Sequence, residues 1–442
     1  MAFQQGLSGL NVSSKAIDVT SHNIANSATV GYKTSRAHFG DMYANSLGIA
    51  SANQVGIGAN LLAVQQDFNQ GNTTSTSNSL DLAINGGGFF RVLDYNGSVS
   101  YTRNGQFHLN NEGYVVNDQG YFLTGFPAVN GVIQSVTPQE IHVSNANIPP
   151  MATGKNGAAN KNGVAAGLNL DSRATLPAAT WTTGATTNPD GTVTITQGTW
   201  SPNVNTYNET TSVDVYDSLG NAHTLSFYFV KNQATNSWQV HANVDNTSDA
   251  FVTGFPKTIA FNQNGEMQTA MPFDVSIDLA GINKALGLPD NGATTPLTFP
   301  VDFSGTTQFA SNFTINSLSQ DGYASGYITG LSVSEDGIVL GNYSNGQSFS
   351  LGQVALASFM NPNGLEAVGG NQWRETIASG APLLGKPQSS NLGLIKSSMI
   401  EESNVDLTNE LVNLITFQRN YQANAQSIQT QDQIMQTIVN LR

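Results

Sequence analysis

Apolar residues recur near the start of the chain at Phe3, Leu7, Leu10, Ile17 and Ile24, and with Ser14 and Ser21 included the steps alternate four and three. That spacing predicts a helix with a heptad seam, the kind that supercoils with a partner. The seam is only partly apolar and Gly6 and Gly9 weaken its first turns, so the helix is expected to need neighbours. The other end repeats the pattern more strongly, with Leu407, Leu411, Leu414, Tyr421, Ala425, Ile428 and Met435 on the seam and Gln418 and Asp432 filling it. No Pro or Gly interrupts Asn404 to Arg442. Asn404 or Asp406 can cap the helix, and Glu410 in its first turn suits the helix dipole. At 1.5 Å per residue the helix would reach roughly 50 Å. Two such helices at opposite ends most simply pair with each other. Their remaining faces, as in "QRNYQANAQSIQTQDQ", are small and polar, so further helices can pack on them without burying charge.

Between the ends the period falls to two. In "GGGFFRVLDYNGSVSYTRNGQFHLNNEGYVVNDQGYFLTGF", Gly97, Gly105, Gly113 and Gly120 separate short aromatic and β-branched runs. Each follows Asn, Glu or Gln, which predicts a β-meander with tight hairpins. A second run turns at Leu219 to Asn221, and a third at Asp336-Gly337 and Asn345-Gly346. A short helix is expected at Ile282 to Leu288. The stretch from about 146 to 205 shifts to Thr, Asn, Gly and Ala after Pro149-Pro150, marking the start of an insertion. The fold class expected is therefore mainly β with paired, coiled-coil-like N- and C-terminal α-helices, in a nested, discontinuous multidomain chain. The division expected is 1–32 with 399–442 as a terminal helical assembly domain, 33–70 with 369–398 as a connector, 71–145 with 305–368 as an inner β domain, and 146–304 as an inserted outer β domain.

Composition narrows the function. A chain of 442 residues suggests about three domains. Only 10% of residues are charged, against a usual quarter, so Asn, Ser, Thr, Gln and Gly must cover the surface. With 16 Lys and Arg and a net charge of -14, no basic stripe exists for nucleic acid or an anionic membrane. The absence of Cys removes disulfides, thiol nucleophiles and Cys-based zinc sites. The first residues lack the cationic and apolar regions of a secretory signal, and no apolar run could span a bilayer, so the chain is expected to be cytosolic or exported by a dedicated route without a cleaved signal peptide.

Chemistry is not apparent. His22, His38, His108, His142, His223 and His241 show no helical metal-pair spacing, and there is no HExxH. Gly86 to Gly88 lack the Lys-Ser/Thr pair of a phosphate loop, the acidic glycine turns are too short for calcium loops, and no nucleophile elbow occurs. No catalytic residue, cofactor or metal is expected, and the chain is not expected to be an enzyme.

One stretch carries more. "SHNIANSATVGYK" places Asn23, Ile24, Ala25 and Asn26 before Thr29, Gly31, Tyr32 and Lys33. It resembles the N-terminal signature of the bacterial flagellar axial proteins, the family of rod, hook and junction subunits. "SLDLAINGGGFFRV" resembles the start of the family's first β domain. The last forty residues resemble its C-terminal helix through Ser403, Asn404, Val405, Asp406 and Leu407 and through Gln418, Arg419, Tyr421, Gln422 and Asn424. Length, "VDVYDSLGNAHTLSFYFVKN" and the segment ending "AVGGNQW" are similar to the long hook-type members rather than the shorter rod subunits. The resemblance implies a homopolymer of many copies in a curved extracellular tube. That tube would act as a flexible coupling passing motor torque from rod to filament. It also implies contacts with the flagellar distal rod protein, the hook cap, the hook–filament junction proteins and the export apparatus. The seams and the motif residues would carry assembly, with Tyr32 and Lys33 anchoring the connector against a neighbour. The readings kept open are a distal rod subunit, a secreted β-rich adhesin and a phage tail-tube protein.

Overall fold

The computed structural model describes residues 2–42, 56–129, 131–144, 146–155, 163–187, 193–195 and 198–440. The connector's 43–55, parts of the Thr/Asn-rich stretch and the last two residues of the expected C-terminal helix lie outside the described residues. The chain divides into two compact units, one made of residues 1–145 with 328–442 and the other of residues 146–327.

The first unit holds both long helices, α1 (Ala2–Ala25) and α3 (Leu407–Asn440), which pack together. Its main sheet joins strands of the meander to strands near the C-terminus. Phe122–Val129 pairs with Phe89–Leu93 on one side and Ser348–Val354 on the other, and the order continues through Ile338–Tyr343 to Ile328–Val333. Residues alternate along these strands, and the inward set (Leu82, Ile84, Phe90, Val92, Phe107, Leu123, Val354 and Ile395) forms one core. A smaller aromatic cluster packs Phe89, Tyr101, Phe359 and Trp373 edge to face.

Gly97, Gly113 and Gly120 turn hairpins at positive φ, as their spacing predicts. Gly105 has another role. A side chain there would lie 1.6 Å from the carbonyl oxygen of Leu82, so this glycine is needed for close backbone approach rather than for a turn. The segment 369–398 is not a connector in the structure. Gln372–Arg374 pairs with Val99–Thr102, Leu383–Gly385 with Leu356–Ser358, and Leu394–Ser397 with Leu82–Asn85, which makes it part of the β body.

The second unit is a two-sheet sandwich. One sheet is an antiparallel set of four strands, Glu209–Tyr216, Ala222–Lys231, Ser237–Val244 and Lys257–Ala260. The other is built around Val164–Asp171, which runs parallel to Leu297–Asp302 and Thr307–Phe309 and antiparallel to Thr314–Gln320. Leu168, Phe227, Phe229, Val240, Val275, Phe299 and Phe303 fill the space between, and Trp238 of one sheet donates its indole N–H to Gln308 of the other at 2.9 Å. The unit closes at Tyr327 rather than at residue 304, because the two strands after 304 pair with Val164–Asp171. Its two ends are stitched by Ile148 donating its N–H to Gly326 and Met151 to Tyr323, both at 2.9 Å. The short helix α2 runs Leu279–Ala285, three residues before the expected start, because Asp278 caps it by accepting from Gly281.

Two histidines in this unit titrate with opposite sign. Burial of His223 favours its neutral form, but Asp245, 2.7 Å from Nδ1, and Asp217 outweigh it and raise its pKa above the ordinary value. His241 stacks on Trp181 at 4.1 Å, and burial pulls its pKa down to about 4, only partly opposed by Asp249. A raised histidine stabilises below its unfolded pKa of about 6.5 and loses that contribution as pH climbs through the folded value; a lowered one costs stability as pH falls from about 6.5 toward 4. The unit's thermal midpoint is therefore expected to peak near pH 6.5. In unfolding scans across pH, His223→Gln should flatten the alkaline limb and His241→Gln the acid limb. Parallel limbs in wild type and both variants would refute the assignment.

Candidate functional site

The residues marked by sequence converge at the root of the two long helices. α1 ends where the run of Asn and small residues begins. Asn26 turns its side-chain amide back to the carbonyl of His22 at 2.9 Å, and Ser27 donates to the carbonyl of Ile24 at 2.9 Å, which occupies the terminal carbonyls. Thr29 donates to the Asn26 side chain. Asn23 is buried and acts as a clamp. Its amide donates to Ser35 O at 2.8 Å, while its oxygen accepts from Ser35 N at 2.9 Å and from the Tyr32 hydroxyl at 3.0 Å. His22 Nδ1 also meets that hydroxyl at 2.8 Å. Burial of Tyr32 raises its pKa. Gly31 has φ +71, and its N–H donates to the Glu401 carbonyl at 2.7 Å.

Lys33 lies at the centre. It is buried, and so are Arg103 and Glu401. Lys33 Nζ lies 2.6 Å from one Glu401 carboxylate oxygen and donates to Asn69 O at 2.7 Å. Arg103 Nη1 lies 3.0 Å from the other oxygen, and Nη2 donates to Gly86 O at 2.9 Å. Gly71 N–H gives the carboxylate a further bond at 2.9 Å. Burial lowers the pKa of both cations, with Glu401 pulling each back up. Desolvating three charges is costly; carboxylate and backbone acceptors offset it at Lys33 Nζ and at both Arg103 Nη groups, while Arg103 Nε is buried without a hydrogen-bond partner. It joins the end of the N-terminal motif, the β body and the strand that leads into α3. Tyr32 and Lys33 therefore anchor within their own chain, not against a neighbour as the sequence suggested. Glu401 and Arg103 were missed, since residues 368 and 298 positions apart carry no common local pattern.

Of the two candidate caps, Asp406 holds α3, accepting from Thr408 N at 2.9 Å and Asn409 N at 3.2 Å. Asn404 binds the connector instead, accepting from Thr34 N and donating to Asp67 O.

On α1 the helices meet on a face different from the predicted seam, whereas on α3 the seam residue Ile428 lies in the contact. In α1 the buried positions are Gly6, Ser13, Ala16, Thr20 and Asn23, one residue before the apolar stripe. A Cβ at Gly6 would lie 2.8 Å from Ile428, and one at Gly9 2.6 Å from Asn424, so the helices run antiparallel in close contact through small residues. Apart from Ile428, the apolar stripes turn largely outward. Phe3, Leu7, Leu407, Leu411, Tyr421 and Met435 are all exposed, and Leu10, Ile17, Ile24, Leu414, Ala425 and Ile428 are half-buried. Ala25 is exposed, whereas Asn26 and Thr29 are half-buried. No side chain of α3 with a described environment is fully buried. Small residues win the internal contact because they let the backbones approach, and large apolar side chains would hold them apart.

The exposed stripe residues on a root fixed to a β body leave apolar surface open to a partner, as in a structural, assembly-type protein rather than one built around a catalytic cleft. Comparison with known families agrees. Residues 3–33 match the flagella basal body rod protein family, 83–195 the flagellar hook protein FlgE/F/G D1 domain, 169–323 the flagellar basal body protein FlaE D2 domain, and 396–441 the flagellar basal body rod FlgEFG protein C-terminal family. The flagellar hook protein FlgE of Escherichia coli is 40% identical over 448 residues, covering all of both chains, and that of Borreliella burgdorferi is 32% identical over 457 residues, covering 99% of this chain and 98% of its own. Among solved structures, the Helicobacter pylori flagellar hook protein FlgE2 aligns over 73% of this chain and 99% of its own at 14% identity, with a TM-score of 0.48. The chain belongs to the flagellar hook protein family.

Proposed function

We infer that the chain is a structural subunit of the bacterial flagellar hook, polymerising into a curved tube that passes torque from rod to filament. The observation that carries this reading is the division of labour on α1: its small face is spent inside the molecule, and its apolar stripe is left for other copies. Each seam residue left exposed removes apolar surface from water only on assembly. In this reading the helices with their root (1–32 and 399–442) form the assembly domain, the β body supports them, and the inserted unit supplies contacts that slide as the tube bends. Distal rod, cap and junction proteins and the export apparatus are its other partners, and it works outside the cell, in the flagellum. Full-length identity to hook proteins favours this reading over a rod subunit.

Electron microscopy of the purified full-length chain, concentrated and seeded with its own sheared fragments, tests it. Curved tubes are expected. Replacing Phe3 and Leu7 by Ser should raise the concentration needed for assembly at least tenfold while leaving the unfolding midpoint of the free chain unchanged. Straight tubes alone would point to a rod subunit, and no polymer at any concentration would overturn the assignment.

A further inference from the structure

Asparagine followed by glycine recurs along the chain, and at several of these pairs the glycine N–H is tied to a backbone carbonyl. Gly97 N–H donates to Asp94 O at 2.8 Å, Gly265 N–H to Asn262 O at 3.0 Å, Gly346 N–H to Tyr343 O at 3.0 Å and Gly364 N–H to Asn361 O at 3.0 Å. Asn291-Gly292, in the second unit, is built differently. Gly292 N–H donates to the side-chain carboxylate of Asp290 at 3.0 Å. Asn291 Oδ1 accepts from Ala293 N–H at 3.0 Å, and the ring which that bond closes contains both Asn291 Cγ and Gly292 N. Both residues are exposed, and Gly292 has φ +73.

This is the arrangement in which a backbone nitrogen attacks the side chain before it. The reaction is intramolecular, so nucleophile and carbonyl carbon are already brought together. It needs an acceptor for the N–H proton, and a carboxylate can take that proton where a carbonyl cannot. It develops negative charge on Oδ1, where the Ala293 N–H already points. Glycine at the attacking position adds no Cβ to crowd the approach. Exposure lets water reach the product.

We propose that Asn291 is a self-deamidation site, and that its conversion weakens the turn beneath it. Gly292 N gives its proton to Asp290 and bonds to Asn291 Cγ. The tetrahedral oxyanion collapses, the Cγ–Nδ2 bond breaks, and Nδ2 takes a proton back and leaves as ammonia. Water then opens the succinimide at either carbonyl, giving aspartate or isoaspartate. The product alters a buried neighbour. Asn291 Nδ2 donates to Asp217 Oδ2 at 3.3 Å, and the Asp217 side chain is fully buried. Asp217 holds its own turn by accepting from Leu219 N at 2.8 Å, Asn221 N at 2.9 Å and Asn221 Nδ2 at 2.8 Å. Conversion replaces a donor to Asp217 by a second carboxylate, so like charges face each other where solvent does not screen them. The proposal does not depend on polymerisation.

Timed incubation of the full-length chain at mildly alkaline pH, followed by peptide mass spectrometry, tests it. Asn291 should convert about tenfold faster than Asn96, Asn264, Asn345 or Asn363. Asn345 is the sharpest comparison, because it too accepts from the N–H two residues on, Gln347 N at 3.1 Å, but Gly346 N–H faces a carbonyl. Asp290→Asn keeps an acceptor for Gly292 N–H without a base, and should slow conversion at Asn291 by about tenfold. Asn291→Asp, which fixes the product charge, should lower the thermal midpoint of the second unit, while Asn264→Asp on another turn of that unit leaves it in place. Conversion at Asn291 no faster than at Asn345 overturns the proposal, as does an unchanged rate in Asp290→Asn. A midpoint in Asn291→Asp equal to that of Asn264→Asp overturns the weakened turn.

Discussion

Replacing Glu401 by Gln is expected to unfasten the root of the helix pair. The change leaves Lys33 and Arg103 buried with no anionic partner, and removing one member of a buried ion cluster costs about 3–5 kcal/mol. Hydrogen exchange followed by mass spectrometry should show peptides covering 28–36, 69–73 and 396–404 losing protection by roughly two to three and a half orders of magnitude. Peptides from Ala222–Lys231 and Ser237–Val244 in the inserted unit should exchange as before. Because apolar replacement of a whole buried ion set is often tolerated, Glu401→Leu combined with Lys33→Met and Arg103→Met should restore most of the protection. Unchanged exchange in Glu401→Gln would show that the cluster does not hold the root.

Gly31→Ala is the second large effect. Two costs add. A side chain at φ +71 carries the left-handed penalty of about 1–2 kcal/mol. Its Cβ would also lie 2.6 Å from Asn104 N and 2.7 Å from the Arg103 carbonyl carbon, backbone atoms that cannot swing aside. Moving them strains Arg103 in the ion cluster and the Gly31 bond to Glu401. Gly97→Ala is the control, since Gly97 has φ +81 with nothing within 4 Å. Urea unfolding of the first unit should therefore show Gly97→Ala losing about 1 kcal/mol and Gly31→Ala about 3 kcal/mol or more. Equal losses would mean that the crowding at Gly31 is relieved without cost.

What the sequence made legible was local. Glycines between alternating runs located the hairpins at Gly97, Gly113, Gly120, Gly337 and Gly346, all at positive φ, whereas Asn104-Gly105, an Asn-Gly pair of the same kind, marks a close backbone approach instead. A composition shift after Pro149-Pro150 located the start of the insertion. Its end was not legible, since only pairing with Val164–Asp171 assigns Thr307–Phe309 and Thr314–Gln320 to the unit. Periodicity found both helices but chose the wrong face of α1 for their mutual contact. It scores large apolar residues, whereas Gly6, Gly9 and Ala16 pack by being small. The ion cluster was hidden for another reason. Lys33 stood in a recognisable motif, but its partners are set by topology, and charge alone did not single out Arg103 or Glu401.

The stitch between residues 148–151 and 323–326 gives the inserted unit two chain ends that lie side by side. Any independently folding module with similarly adjacent termini could be spliced between residues 146 and 327 without asking the host strands to re-register. Filaments grown from such hybrids would display one guest per repeat at a spacing set by the lattice, turning a motility part into a periodic display scaffold.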